Sequence, residues 1–100
     1  MVKLLVKELY SLIYKDDKKA LIKLCNENHP IFKAHFPSQP ILPGFVHFEI
    51  VADVFSIKIT TIKKAKFTKI VRPTQSLEYK KDGNKFKVFC EDEVVASFSL

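Results

Sequence analysis

The sequence has little glycine, and this scarcity excludes several classes of enzyme. Gly44 and Gly83 are the only glycines among 100 residues, so the chain cannot build the glycine-rich loop that cradles phosphates in kinases and dinucleotide-binding enzymes. No internal repeat, low-complexity tract or linker interrupts the sequence. Residues 1–100 are therefore expected to form a single domain.

Cysteine is also scarce. Cys25 and Cys90 are isolated in a chain with ample core, which argues against a disulfide scaffold and predicts two reduced, buried thiols. The three histidines and two cysteines lie far apart in sequence, so no zinc spacing exists and no metal site is predicted.

Long apolar runs are missing as well. No stretch is long enough to cross a bilayer, and lysines interrupt the apolar residues at the N-terminus too early for a signal peptide. The sequence predicts a cytoplasmic protein with no membrane association.

Arginine is nearly absent, since Arg72 is the only one in a chain with a net charge of +6. A basic surface suits nucleic acid, an anionic membrane or an acidic protein. Proteins that read bases rely on arginine for bidentate contacts, so we expect no nucleic-acid partner. The alternative, binding through the lysine-rich stretch 58–69, predicts an affinity that falls steeply with salt.

Apolar residues are plentiful, at 47% of the chain with nine phenylalanines, and predict a folded globule with an apolar interior, a tunnel or a surface covered by a second subunit. The alternation of apolar residues predicts a hairpin from 9–14 and 19–25, and a buried helix of about three turns within 45–57. One long strand is expected from Lys58 to Val71, followed by strands near 76–80, 85–90 and 94–100. The fold class is therefore α+β, an antiparallel sheet curled around a central helix.

The most informative stretch is a proline-pinned loop that leads into this helix. Pro37, Pro40 and Pro43 each fix φ and keep the preceding residue out of the α region. His35 precedes the loop, and Glu49 follows fourteen residues later within the apolar helix. A rigid loop with a histidine and a buried helix with a glutamate can bring two titratable groups to one pocket, as acid–base chemistry requires.

This spacing resembles the signature of the FabZ/FabA-type β-hydroxyacyl-acyl-carrier-protein dehydratases, and looks closest to their small, trimmed members. The matching residues are His35, Phe36, Pro37, Pro40, Pro43, Gly44 and Glu49. Weaker similarity in 66–73 and 91–96 extends the resemblance from about residue 9 to the end. It implies a hotdog fold and a homodimer, or a higher oligomer of dimers, in which histidine and glutamate come from different subunits.

Dehydration of a 3-hydroxyacyl thioester needs a base, an acid and a donor to the thioester oxygen. A neutral imidazole suits His35 as the base, and an apolar environment would keep Glu49 protonated as the acid. Gly44 opens the helix, where free N–H groups can hold the thioester oxygen. The resemblance implies the same three roles at these positions. His29 and His47 lack such support and are interpreted as structural.

The sequence departs from the family pattern at several positions. Asp53 stands where these enzymes usually have Gln, Ser56 where they usually have Gly, and Ala34 where Gly usually precedes the histidine. Their spacing places Asp53 and Ser56 on the helix face of Phe45 and Glu49. Our hypothesis is that the charge of Asp53 helps to keep Glu49 protonated; the alternative is a solvated Asp53 at the pocket mouth.

The sequence therefore predicts a (3R)-hydroxyacyl-thioester dehydratase that yields a trans-2-enoyl product. No cofactor is needed for this elimination, and the thioester is carried by an acidic acyl carrier protein or by coenzyme A. The expected substrate contacts are Phe36, Pro43, Phe45, Phe48 and Asp53. Two alternatives are a thioesterase, in which Glu49 activates water, and a non-catalytic hotdog subunit that binds acyl carrier protein.

Overall fold

A six-stranded antiparallel sheet packs against one main helix in the computed structural model, which describes residues 8–33 and 40–100. Within these residues the elements, in chain order, are β1 (Tyr10–Lys15), β2 (Lys19–Leu24), α1 (Pro30–Lys33), α2 (Val46–Val54), β3 (Lys64–Phe67), β4 (Ser76–Asp82), β5 (Lys85–Cys90) and β6 (Glu93–Ser99). The strand order across the sheet is β1-β2-β4-β5-β6-β3. The predicted α+β class, with two strands before the helix and four after it, is confirmed.

The core lies between one face of the sheet and the buried face of α2. Alternate residues of β4 and β5 point into it, among them Leu77, Tyr79, Phe86 and Val88. Apart from Phe89, the other residues of these strands are polar or charged, in keeping with the period of two in a strand. The sheet therefore has one apolar face against the helix and one face in solvent.

Two tight turns set the register of the last three strands. Gly83 and Asn84 connect β4 to β5, and Gly83 has a φ of 60°, which a glycine adopts without steric cost. Glu91 and Asp92 connect β5 to β6, both with positive φ (51° and 67°), as a type I′ turn needs. Both turns lie in the gaps between the predicted strands 76–80, 85–90 and 94–100.

The prediction of one long strand from Lys58 to Val71 is wrong. Only the four residues of β3 are in strand conformation, paired with β6 at an edge of the sheet. All of residues 61–70 are exposed. The β-branched and aromatic composition of this stretch favours a strand, but a strand also needs a neighbour with free backbone groups, and β6 offers them over a short length only.

The main helix is shorter than expected and ends in a left-handed residue. Ser56 has a φ of 55°, and the N–H of Ile57 donates to the carbonyl of Ala52 at 3.1 Å. This six-to-one bond is the Schellman motif, in which the left-handed position is usually glycine. The family's usual glycine at this position thus has a conformational reason, and Ser56 occupies it at some cost.

Both cysteines are free thiols, Cys90 buried and Cys25 half-buried. Burial raises the pKa of each thiol, so neither is activated as a nucleophile. The prediction of two reduced thiols is confirmed, and burial is as predicted for Cys90, but Cys25 is only half-buried.

Candidate active site

The start of α2 is wound tightly after Pro43. The N–H of Val46 donates to the carbonyl of Pro43 at 3.1 Å, and that of His47 to the carbonyl of Gly44 at 3.1 Å. These are i to i−3 bonds, typical of a 3₁₀ turn at a helix end. The preceding loop is held by Leu42, whose N–H donates to the carbonyl of Val71 at 2.7 Å. The backbone around Gly44 is thereby fixed against the rest of the fold.

Gly44 lies against an aromatic ring. A Cβ at this position would come within 3.1 Å of the Phe67 ring, which is tighter than ordinary van der Waals contact. Glycine is therefore favoured here by close packing, and its φ is not in the left-handed region. No described residue forms a hydrogen bond with the Gly44 N–H, which leaves the predicted role of this group as a donor to a thioester oxygen open to test.

One face of α2 is buried against the sheet and carries a histidine. His47 is 3% exposed, and its Nδ1 lies 2.8 Å from the hydroxyl of Tyr79. Burial lowers the pKa of His47 to about 4, so the imidazole is neutral near pH 7. The ring also stacks on Phe67 at 6.2 Å between centroids. His47 thus has a structural role, as expected.

The second histidine set aside as structural is also engaged locally. The Nδ1 of His29 accepts a hydrogen bond from the N–H of Ile31 at 3.0 Å, at the start of α1. This is the geometry of a side chain that caps a helix N-terminus. Neither His29 nor His47 lies in the groove described next.

The other face of α2 lines an open groove of about 770 Å³. We call it the helix groove; its described lining residues are Phe45, Phe48, Glu49, Ala52, Asp53, Ser56, Ile57, Lys58, Ile59 and Ile62. A groove of this size suits a small-molecule ligand or an acyl chain. Four of the predicted site residues, Phe45, Phe48, Glu49 and Asp53, therefore share one surface, with Ser56 beside them.

Glu49 lies in the first turn of α2 and is half-buried. Phe48 packs its ring edge-on to Phe98, with 4.8 Å between centroids, and thereby joins the groove to the core. Phe45 is 45% exposed at the helix start. The carboxyl group of Glu49 thus stands in a mainly apolar groove that remains accessible from solvent.

Asp53 is exposed and accepts a hydrogen bond from the hydroxyl of Tyr10 on β1. Burial, and then the hydrogen bond and negative charge of Asp53, raise the pKa of Tyr10. The contact ties the first strand to α2 across a separation of 43 residues. Sequence reasoning missed Tyr10, because no local pattern links it to Asp53. The hypothesis that Asp53 acts on Glu49 stays a prediction.

His35 and Phe36 lie outside the described residues, so the meeting of His35 with Glu49 stays a prediction. Pro43 and Gly44 are at the start of the helix but are not among the described residues that line the groove. Among the described residues, no group of three or more His, Cys, Asp or Glu side chains could hold a metal ion.

None of the helices in the described part of the chain is long and apolar enough to cross a membrane.

Comparison with solved structures shows the fold. The chain is similar to a subunit of the dehydratase heterocomplex ApeI:P from Xenorhabdus doucetiae, with a TM-score of 0.66, 20% identity, and coverage of 92% of this chain and 94% of that one. It is also similar to the Escherichia coli protein PaaI of the phenylacetic acid degradation operon, with a TM-score of 0.60, 13% identity, and coverage of 97% and 85%. The predicted hotdog fold is confirmed.

Sequence comparison points in the same direction. The chain is 36% identical over 77 residues to the 3-hydroxyacyl-(acyl-carrier-protein) dehydratase FabZ of Thermoanaerobacter sp. (strain X514), covering 63% of this chain and 54% of that protein. It is 32% identical over 98 residues to FabZ of Sinorhizobium fredii (strain NBRC 101917 / NGR234), covering 79% and 64%. The chain thus spans between half and two thirds of these relatives.

The match to a family is more extensive than either alignment with a single relative. A family model described as ApeI-like, ApeI dehydratase, matches residues 13–99. This range includes every described strand and helix except the first residues of β1. The chain belongs to the ApeI-like dehydratase family.

Proposed function

We propose that the protein dehydrates (3R)-hydroxyacyl thioesters to trans-2-enoyl thioesters. The observation that carries this proposal is the position of Glu49, a half-buried carboxyl group in an apolar groove, one turn into a helix that begins directly after Pro43 and Gly44. Membership of a dehydratase family supports the same chemistry. The FabZ relatives act on substrates linked to acyl carrier protein, and we propose such a carrier for this chain.

In the proposed reaction, the imidazole of His35 removes the α-proton of the thioester. The carboxyl group of Glu49 protonates the leaving hydroxyl, so that water departs as the double bond forms. The N–H of Gly44 donates to the thioester oxygen while negative charge develops there. Phe36, Phe45 and Phe48 form the apolar path for the acyl chain. The groove is open and has fewer walls than a tunnel would have, so we expect it to accept acyl chains of several lengths.

We further propose a homodimer in which His35 and Glu49 of each site come from different subunits, in the cytoplasm. The ApeI relative in the solved structure is part of a heterocomplex. That observation favours a second arrangement, in which this chain forms its site together with a different hotdog subunit. Two measurements separate the two arrangements: the mass of the assembly that the purified chain forms in solution, and its turnover without any partner.

The decisive experiment incubates the purified chain with (3R)-3-hydroxyacyl thioesters of short and medium length on acyl carrier protein. Mass spectrometry then distinguishes the enoyl product from a hydrolysed carrier with a free thiol. Wild-type protein should give the enoyl product, and H35A or E49Q should lower kcat by about 100-fold or more, since general acid–base groups contribute factors of that size.

The matched control is E78Q, which makes the same chemical change on the sheet and outside the helix groove. Its turnover should equal that of wild type. Free thiol without enoyl product would show a thioesterase instead. A stable oligomer that turns over no thioester of any chain length would indicate a non-catalytic subunit that binds the carrier. Equal rates for E49Q and wild type would remove Glu49 from the mechanism.

A further inference from the structure

The solvent face of three adjacent strands holds a cluster of lysines around two serines. The cluster lies on β3, β5 and β6, at the opposite face of the sheet from α2. A shallow cavity of about 470 Å³ lies over it. We call it the lysine–serine trough and define it by Lys64, Lys66, Lys85, Lys87, Ser97 and Ser99.

Strand register builds the trough in two rows. Ser97 on β6 is paired with Lys87 on one side and with Lys66 on the other. Ser99, two residues further along β6, is flanked in the same way by Lys85 and Lys64. Adjacent strands are about 4.8 Å apart, so the lysine backbones face each other across about 10 Å, and the rows are about 7 Å apart.

Among the described residues, Asp82 is the one carboxylate that lies opposite a trough lysine in the sheet register, where it faces Lys85, and no salt bridge joins the two. No Asp or Glu is among its described lining residues, and the salt bridge found within the described chain joins Lys69 to Glu93 elsewhere. Lys87 also lies directly opposite Lys80 in the register, and like charges directly opposite each other are destabilising. The hydroxyls of Ser97 and Ser99 form no hydrogen bond with described residues, and both side chains are only half-exposed. Four ammonium groups and two hydroxyls therefore surround a cavity whose described lining contains no carboxylate.

We propose that the lysine–serine trough binds the phosphate groups of a phosphorylated small molecule. Phosphate offers several acceptor oxygens on a compact dianion, so it can take donors from both walls and from the serine floor at once. Lysine binds phosphate as a flexible point charge, and its long stem reaches inward from strands about 10 Å apart. A diphosphate contacts both rows. This site is separate from the helix groove and is independent of the proposed dehydration.

The test uses inorganic pyrophosphate as the probe and backbone amide NMR shifts of the full chain as the readout, at constant ionic strength. We expect saturable shifts in β3, β5 and β6, with sulfate at equal concentration binding more weakly. The variant K66Q/K87Q, which removes the two lysines beside Ser97, should weaken binding at least tenfold, since a hydrogen bond to a charged group is worth about one factor of ten or more.

Two variants separate this site from a general effect of charge. K18Q/K23Q removes the same net charge from lysines outside the trough and should leave binding within twofold of wild type. S97A changes no charge but removes one floor hydroxyl, and should weaken binding severalfold. Equal losses in both lysine pairs, or shifts spread over all lysine-bearing segments, would overturn the proposal.

The source of the phosphate is resolved by a parallel measurement. Sedimentation with phosphatidylcholine vesicles that contain phosphatidate tests a lipid headgroup, whereas pyrophosphate tests a free ligand. The proposal is supported if the protein binds either probe, K66Q/K87Q abolishes that binding and K18Q/K23Q preserves it. The proposal would be refuted if a single-stranded oligonucleotide bound more tightly than pyrophosphate and both double variants weakened that binding equally. The lysines would then form a non-specific surface for polyanions.

Discussion

Acid should destabilise the protein through one buried imidazole. Burial lowers the pKa of His47 to about 4, from an ordinary value of 6.5. The unfolded chain therefore takes up a proton at His47 at a higher pH than the folded chain does. The stabilisation from a neutral, buried His47 is fully present above pH 6.5 and is lost as the pH falls towards 4.

The size of the effect follows from the difference in pKa. A difference of about 2.5 between the two pKa values, at about 1.4 kcal/mol for each pKa unit, amounts to about 3–4 kcal/mol once His47 is protonated in both the folded and the unfolded state. About 2 kcal/mol of this should be lost between pH 7 and pH 4.5. For a small domain this is a large share of the free energy of unfolding, which is commonly about 5–15 kcal/mol.

Urea denaturation at several pH values, for wild type and H47N, provides the measurement. Asparagine retains a polar group near the Tyr79 hydroxyl but does not titrate, so the difference between the two curves isolates His47 from the carboxylates. The free energy of unfolding of wild type should fall about 2 kcal/mol more than that of H47N between pH 7 and pH 4.5. Parallel curves would show that the imidazole does not titrate as its burial requires.

Two further predictions concern backbone strain and the contact between β1 and α2. S56G should raise the free energy of unfolding by about 1 kcal/mol, because residue 56 has a φ of 55° and glycine adopts that conformation without penalty. The measurement is the midpoint of urea denaturation, which should be higher for S56G than for wild type. An unchanged or lower midpoint would contradict the prediction. Y10F removes the hydrogen bond to Asp53 and should lower the free energy of unfolding by about 1 kcal/mol. A double-mutant cycle with D53N should show a coupling energy of similar size. Additive losses would mean that the contact contributes nothing.

Local chemistry made most of the fold predictable. The turns at Gly83 and at 91–92 are specified by adjacent residues, and the alternation in β5 identifies its buried face without knowledge of its neighbours. Residues 58–63 and 68–71 were misjudged because their composition suits a strand, whereas the register of β3 with β6 covers residues 64–67 only. Strand formation at an edge is a tertiary property, and the sequence of that segment does not contain it.

The site was predictable to the same extent. Phe45, Glu49, Asp53 and Ser56 could be assigned to one helix face because helical spacing is regular, and the helix groove contains all four. The contact of Asp53 with Tyr10 depends on where β1 crosses the helix, which no periodicity within the chain encodes.

The alternation of lysine with apolar residues in β5 also guards against mispairing. A slip of one residue would turn Lys85 and Lys87 towards the helix and Phe86 and Val88 towards solvent. Burying two ammonium groups without partners costs several kcal/mol per ion, in addition to the lost apolar burial. Misregistered sheets of this chain are therefore penalised on both faces, which disfavours shifted hairpins and the growth of fibrils from them.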